Sequence, residues 1–240
     1  MQAPKQISQE EARAKTTAWA LTFADLTTLL LTFFVLLLVI LNDAERFIDN
    51  YINIILKETA TELMPLNQSD LVDIEQVTKG IKVTLRGKLF KSLSAEVDPK
   101  ADPVLIQIGA LIRTSTLFNI EKQERWDPLL KAIDQSGKVL NVEIRCEGHT
   151  DDKKIPKNAL FKSNWELSSA RSLNLVRRIS ELAEMDQKYF SALGYGEHRP
   201  AVKLEGLSSR VKIEEARALN RRVEIYFDAF LKNKETDQDI

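Results

Sequence analysis

The stretch "WALTFADLTTLLLTFFVLLLVIL", residues 19–41, is an almost unbroken apolar run that contains a single carboxylate, Asp25. With Ala18 the run has 24 residues, which as a helix at about 1.5 Å per residue reach roughly 36 Å. A hydrocarbon core is about 30 Å thick, so residues 18–41 are predicted to form a membrane-spanning helix. A cleaved secretory signal is the alternative, but its apolar core usually has only about 7–15 residues.

The overall composition is that of a folded protein with balanced charge. Of the 240 residues, 44% are hydrophobic, and 34 basic residues face 35 acidic ones. This balance predicts no general attraction to nucleic acid. The single cysteine, Cys146, excludes an intrachain disulfide.

Basic residues near the span give a small orientation signal. They are Lys5, Arg13 and Lys15 before the span, and Arg46 and Lys57 after it. The excess before the span predicts that residues 1–17 form a cytoplasmic tail and that the rest of the chain lies outside the membrane on the other side. We therefore expect a single-pass protein of the inner (cell) membrane.

The residues after the span divide into three predicted segments. Residues 42–68 place Ile48, Ile52 and Ile55 at helical spacing, which indicates an amphipathic helix. This helix is either a stalk packed on the next domain or a regulatory plug. Residues 69–230 are predicted to form one domain, and residues 231–240 a polar tail.

Strands and helices alternate in the predicted domain. Residues 80–86, 139–148 and 221–227 alternate apolar and polar side chains, as strands with one buried face do. Ser163 and Glu166 form a capping box that predicts a helix continuing to about Glu184. The pattern predicts an α+β fold with helices covering one side of a sheet.

Asp25 is the candidate functional residue of the span. An ionised aspartate in a membrane costs at least about 2.5–3.5 kcal/mol, so such residues usually face protein or water and mark an ion path. At 100° per residue, Thr22, Thr28 and Thr32 share its helix face. This stripe suits a small cation or a protonated acid. The alternative is that Asp25 only bonds partner helices while the threonines bond their own backbone.

The span resembles that of the MotB and PomB family, the B subunits of flagellar stators. The family pattern W-x-x-x-[FY]-A-D with later paired phenylalanines is matched by Trp19, Phe23, Ala24, Asp25, Phe33 and Phe34. The resemblance implies that Asp25 carries the transported proton or sodium ion. It also implies a homodimer inside a ring of MotA-like or PomA-like membrane subunits, with no bound cofactor.

Four further motifs resemble the OmpA-like peptidoglycan-binding domain, which is an α/β sandwich. They are "GHTDD" at 148–152, "SNWELSSARS" at 163–172, "LGYGEHRP" at 193–200 and "NRRVEI" at 220–225. The resemblance implies that Asp151 and Arg171 grip the diaminopimelate of the wall peptide. Thr150, Asn164 and Leu167 would line the same site.

Rival functions are kept open by departures from the flagellar pattern. The segment 114–138 is longer than the usual connection before "GHTD", and the approach to "NRR" is also lengthened. These features allow a ZorB subunit of a Zorya antiphage system, with a ZorA-like partner and the same ion-driven mechanism. A passive tether between envelope and wall is a third hypothesis.

No catalytic arrangement is indicated by the sequence. His149 and His198 are the two histidines of the chain, and neither has the spacing of a Ser/His/Asp set. We expect them to be turn or site-lining residues and not metal ligands, and we expect no enzyme activity. A peptidoglycan-cleaving enzyme is the formal alternative.

Overall fold

The computed structural model describes residues 9–68, 71–78, 80–87, 89–91 and 93–234. The predicted tails 1–17 and 231–240 therefore lie partly outside the described residues. The helices are α1 (Gln9–Leu63), α2 (Asp102–Thr114), α3 (Asp127–Gln135), α4 (Asn164–Ala183) and α5 (Arg210–Asn220). The strands are β1 (Val72–Val77), β2 (Gly80–Arg86), β3 (Lys138–His149), β4 (Phe190–Gly196) and β5 (Arg222–Asn233).

Among the residues that the structure describes, two segments are long and apolar enough to cross a membrane. Trp19–Ile40 in α1 has a mean hydropathy of 2.5, and its side chains are exposed. Pro99–Lys122 reaches 1.2 and is 44% buried, because it contains α2, whose side chains Leu105 and Ile108 lie in the core of the domain. Only Trp19–Ile40 combines high hydropathy with full exposure, as expected of a surface that meets lipid.

The chain forms two compact units, residues 1–49 and Asn50–Ile240. The described residues of the first unit all belong to the N-terminal part of α1. The second unit begins within α1, and not at residue 69, because Ile52, Ile55 and Leu56 bury their side chains in it. The helical end of the predicted 42–68 segment is therefore part of the folded domain.

Polar contacts also hold this end of α1 on the domain. The Glu62 carboxylate accepts hydrogen bonds from the backbone N–H and the hydroxyl of Thr116, at 3.1 and 2.7 Å. Arg125 donates to both oxygens of Glu58, at 3.3 and 2.8 Å. Both partners, Thr116 and Arg125, lie in the long connection 114–138. This connection therefore provides polar contacts for the end of α1.

The sheet of the second unit has the strand order β1-β2-β5-β3-β4. β3 pairs with β4 in parallel, and the other neighbours are antiparallel. Ile144, Cys146 and Ile225 point to one face, whereas Arg145 and Glu224 are on the other. The apolar face lies under α4, where a side chain at Gly148 would collide with the backbone carbonyl of Ser168.

The capping box and the predicted strands are confirmed. The Ser163 hydroxyl accepts from Glu166 N at 3.2 Å, and α4 ends where Glu184 adopts φ 53°. β2 and β3 contain the predicted segments 80–86 and 139–148, and β5 begins one residue after the start of the predicted segment 221–227. The sequence analysis missed β1 and α5, and the observed α+β fold otherwise agrees with the prediction.

Candidate functional site

One cavity of about 1180 Å³ lies at the end of the sheet where β3 finishes and α4 begins. The structure brings all five predicted peptide-binding residues to this cavity, namely Thr150, Asp151, Asn164, Leu167 and Arg171. They converge because β3 delivers the first two to its carboxyl end, while the first two turns of α4 supply the other three. The loop after β2 and one face of α5 complete the walls.

Asp151 is buried, with 8% of its surface exposed, and is paired with a residue that the sequence analysis did not assign. Its Oδ2 accepts from Arg221 Nη1 at 2.7 Å, and its Oδ1 accepts from the backbone N–H of Lys153 at 3.2 Å. The sequence analysis expects Asp151 and Arg171 to grip a ligand together, and no ion pair joins these two side chains to each other among the described residues. Arg221 instead neutralises this carboxylate.

Arg171 anchors the loop that follows β2. Its Nε donates to the carbonyl of Ser94 at 3.0 Å and its Nη2 to that of Lys91 at 3.4 Å. Its guanidinium lies 5.1 Å from the ring centre of Phe90. Burial lowers the pKa of Arg171 to about 10, and Asp151 opposes this shift, so the side chain is charged at neutral pH.

Asn164 and Thr150 fix the backbone around Asp151. Asn164 Nδ2 donates to the carbonyls of Lys153 and Asp151, at 3.1 and 3.4 Å. Thr150 donates its N–H to the carbonyl of Gly196 at 2.9 Å, and its buried hydroxyl has no hydrogen-bond partner among the described residues. These contacts hold the backbone that carries Asp151 at the cavity wall.

The floor of the cavity contains a buried histidine between two glutamates. His149 Nε2 lies 4.0 Å from Glu147 Oε2 and 3.8 Å from Glu224 Oε2. Its ring stacks on Tyr195 with centres 5.6 Å apart. Burial, and then the charge of Arg222, lower the pKa of His149 to about 4, so the imidazole is neutral at ordinary pH.

The rim of the cavity carries exposed ion pairs between α5 and the loop after β3. Arg217 forms two bonds to Asp152, at 2.7 and 2.8 Å, and Lys153 Nζ lies 3.0 Å from Glu214. Hydrogen bonds from Arg217 hold the pKa of Asp152 below its usual value. These ion pairs hold α5 beside the cavity. The sequence of α5 alone did not predict this position.

In the apolar segment of α1, the three predicted threonines bond their own helix. Thr22, Thr28 and Thr32 donate to the carbonyls three residues earlier, at 2.8–2.9 Å. Thr27, on another face, does the same with Ala24. Each hydroxyl keeps lone pairs on its oxygen, so the stripe beside Asp25 retains acceptor capacity.

Arg221 is the functional candidate that the sequence reasoning missed. The signal was present in the "NRRVEI" motif, where two arginines precede and open an alternating strand. Strand alternation sends the two side chains in different directions: Arg222 to Glu224 at 2.6 Å and Arg221 to Asp151.

Comparisons with known proteins agree over both parts of the chain. A family model described as membrane MotB of the proton-channel complex MotA/MotB matches residues 4–47. Motility protein B of Bacillus subtilis is 32% identical over 160 residues, which are 65% of this chain and 57% of that protein. The uncharacterized protein YtxE of the same organism is 29% identical over 222 residues, 87% of each chain.

A solved structure supports the fold. The crystal structure of a MotB-like protein from Desulfovibrio vulgaris has a TM-score of 0.55 and 25% identity, and it covers 77% of this chain and 98% of that one. The chain thus combines an apolar helix that is long enough to cross a membrane with an α+β domain similar to that MotB-like protein. The similarity to MotB-type proteins therefore extends over both the apolar helix and the α+β domain.

Proposed function

We propose that this chain is the peptidoglycan-anchored B subunit of an ion-driven rotary motor, with Asp25 as the carrier of the transported proton or sodium ion. The observation that carries the proposal is the placement of Asp25 as the one ionisable residue within Trp19–Ile40. Because a charge in hydrocarbon is costly, helices of a second copy and of a MotA-like partner would have to surround it.

The ion itself is a separate question within this proposal. The oxygens of Thr22, Thr28 and Thr32 suit a hard cation such as Na⁺, whereas a protonated Asp25 needs only hydrogen bonds. Motor output measured against external sodium at fixed pH separates the two. Output that follows sodium supports Na⁺ transport, and output that ignores sodium but follows pH supports proton transport.

The cavity is the proposed site for the zwitterionic end of a wall peptide. The Asp151 Oδ1 atom accepts only a backbone N–H in the described structure, so it has capacity for a ligand ammonium. Arg171 uses Nε and Nη2 for loop carbonyls, which leaves Nη1 for a ligand carboxylate. Arg221, beside Asp151, offers a second guanidinium for the same charge.

Sedimentation with purified peptidoglycan tests wall binding by the full chain in detergent. Arg171→Ala and Asp151→Asn are expected to lose sedimentation while keeping the circular dichroism of the folded chain. Arg177→Ala is the matched control, because Arg177 is an exposed arginine of the same helix. Equal sedimentation of Arg171→Ala and Arg177→Ala would contradict the site, and cleavage of the wall by the wild type would favour an enzyme.

We also propose that the helix end after the span acts as a plug that restrains ion flow. Deleting residues 45–60 is a poor test, since it removes the buried side chains of Ile52, Ile55 and Leu56 from the domain. Ile54 is 46% exposed on the same helix, so Ile54→Asp alters the outer face alone. If Ile54→Asp causes more ion leak than the neighbouring Asn53→Asp control, the result supports a plug. Equal leak in the two variants would indicate that the segment is only a stalk.

The driven machine is a flagellar rotor in the first hypothesis and a Zorya-type defence motor in the second. The insertion 114–138, on which α1 docks through Glu58 and Glu62, is the observation that favours the second. Expression with a MotA-like partner from the same genome, followed by motility and phage-plating assays, separates them. A passive tether predicts no ion flux with any partner.

A further inference from the structure

We propose that Glu147, His149 and Glu224 form a binding site for a transition-metal dication, with Zn²⁺ as the representative ion. The three residues are buried and each offers one ligand atom, all within 4.8 Å of one another. The site lies on the polar face of the sheet, between β3 and β5, under the floor of the cavity. The proposal does not depend on the proposed motor function.

The first argument is that His149 lacks ordinary partners. The residue is 3% exposed, and neither ring nitrogen makes a hydrogen bond within the described residues. The backbone of Arg199 also lies close to the ring, and the two glutamate oxygens nearest to Nε2 are 3.8 and 4.0 Å away, beyond hydrogen-bond distance. A buried polar group without a partner destabilises the fold, so the persistence of this histidine needs a reason.

The second argument is the spacing of the ligand atoms. The distances of 3.8 and 4.0 Å from His149 Nε2 to the two carboxylate oxygens are too long for hydrogen bonds. A bridging water at about 2.8 Å from each atom would hold the pair about 4.5 Å apart. Zn²⁺ at about 2.0–2.2 Å from each ligand atom would hold neighbouring ligand atoms about 3.3–3.8 Å apart. A small movement of the side chains would bring the observed distances into this range.

The third argument is that both carboxylates are already oriented. Arg145 holds Glu147 Oε1, and Arg222 holds Glu224 Oε1 at 2.6 Å, so each Oε2 is turned toward His149. Tyr226 donates to Glu224 Oε2 at 2.7 Å and leaves a lone pair of that oxygen for an ion. Partners that hold the outer atoms of ligands in this way are typical of metal sites.

Charge decides which ion suits the cluster. Asp228 accepts two hydrogen bonds from Arg145, at 3.1 and 2.9 Å, and so takes up much of its charge. The remaining arginines oppose a cation, so the site needs the strong bond between imidazole and a transition metal. We therefore expect selectivity for Zn²⁺ over Mg²⁺. A bound ion would fix the ends of β3 and β5, which carry Asp151 and Arg221.

The test uses the full chain in detergent, without a histidine tag and stripped with a chelator. Equilibrium dialysis against Zn²⁺ with elemental analysis is expected to find one ion per chain, and excess Mg²⁺ should not displace it. His149→Gln and Glu224→Gln should weaken Zn²⁺ binding at least about tenfold. His198→Gln is the matched control, because it removes the other histidine of the chain.

A spectroscopic readout keeps the test independent of folding defects in the variants. Co²⁺ bound to the wild type in place of Zn²⁺ should show the visible absorption of a tetrahedral or five-coordinate site. The same spectrum should persist in His198→Gln. Substoichiometric Zn²⁺ in the wild type, an octahedral aqueous Co²⁺ spectrum, or binding lost in His198→Gln but kept in His149→Gln would each overturn the assignment.

Discussion

Replacing Ile55 with alanine tests whether the end of α1 belongs to the folded domain. Ile55 is 1% exposed, and the substitution removes three carbon atoms from a closed environment. At about 0.8 kcal/mol per buried methylene, the lost transfer free energy is about 2.4 kcal/mol. The cavity left behind adds to this, so the expected loss lies within the range of about 2–5 kcal/mol.

Ile54 supplies the control, because it is the same residue type one position earlier and is 46% exposed. Ile54→Ala is expected to change the free energy of unfolding by less than about 0.5 kcal/mol. For a domain of this size the Ile55→Ala loss corresponds to a fall of at least about 5 °C in the midpoint of thermal unfolding. The assay is circular dichroism and tryptophan fluorescence of the full chain in detergent. Equal midpoints for the two variants would refute the docking of α1.

Three further predictions concern the domain. Gly148→Ala places a methyl group against the backbone carbonyl of Ser168, so urea unfolding should show a loss of about 1–3 kcal/mol or more, and an unchanged midpoint would contradict the packing of α4 on β3. Because Arg217 lowers the pKa of Asp152, their pair stabilises the fold above the ordinary pKa of an aspartate, and this effect is lost as pH falls through the lowered pKa of Asp152. The difference in midpoint between wild type and Arg217→Gln should therefore shrink in acid, and a constant difference would argue against the pair. Burial raises the pKa of Cys146 to about 12, so mass spectrometry should find maleimide labelling only after unfolding.

The elements that were predictable from the sequence are those with local signals. A capping signal only four residues long, from Ser163 to Glu166, predicts the start of α4. The alternation of apolar and polar residues in "RRVEIYF" predicts β5. β1 was missed because the alternation of "VDIEQV" stops after Ile74, and its pairing with β2 is what identifies it as a strand. α5 was missed because charged residues dominate it, and long-range ion pairs such as Arg217 to Asp152 position it.

In the candidate site, too, the residues in recognisable motifs were predictable, whereas the contacts between distant parts of the chain were not. The motif resemblance assigned one common site to five residues that line a single cavity in the structure. They are Thr150, Asp151, Asn164, Leu167 and Arg171. The spacing of these residues in the sequence does not by itself place them together. Both arginines of "NRR" line the cavity, and only the folded structure shows that Arg221 pairs with Asp151 while Arg222 pairs with Glu224. Glu147 and His149 are neighbours on one face of β3, and the pairing of β3 with β5 brings Glu224 to them from a distant part of the sequence.

The central claim is that Asp25 carries the ion that drives the motor, and ion flux with the partner subunit tests it most directly. Flux is measured in cells that express the MotA-like partner with wild type, Asp25→Asn or Thr27→Val, the last being a nearby polar residue on another face of the helix. We predict that Asp25→Asn abolishes flux and motor output, while Thr27→Val keeps both. Wild-type flux in Asp25→Asn, with the partner complex assembled, would contradict the account.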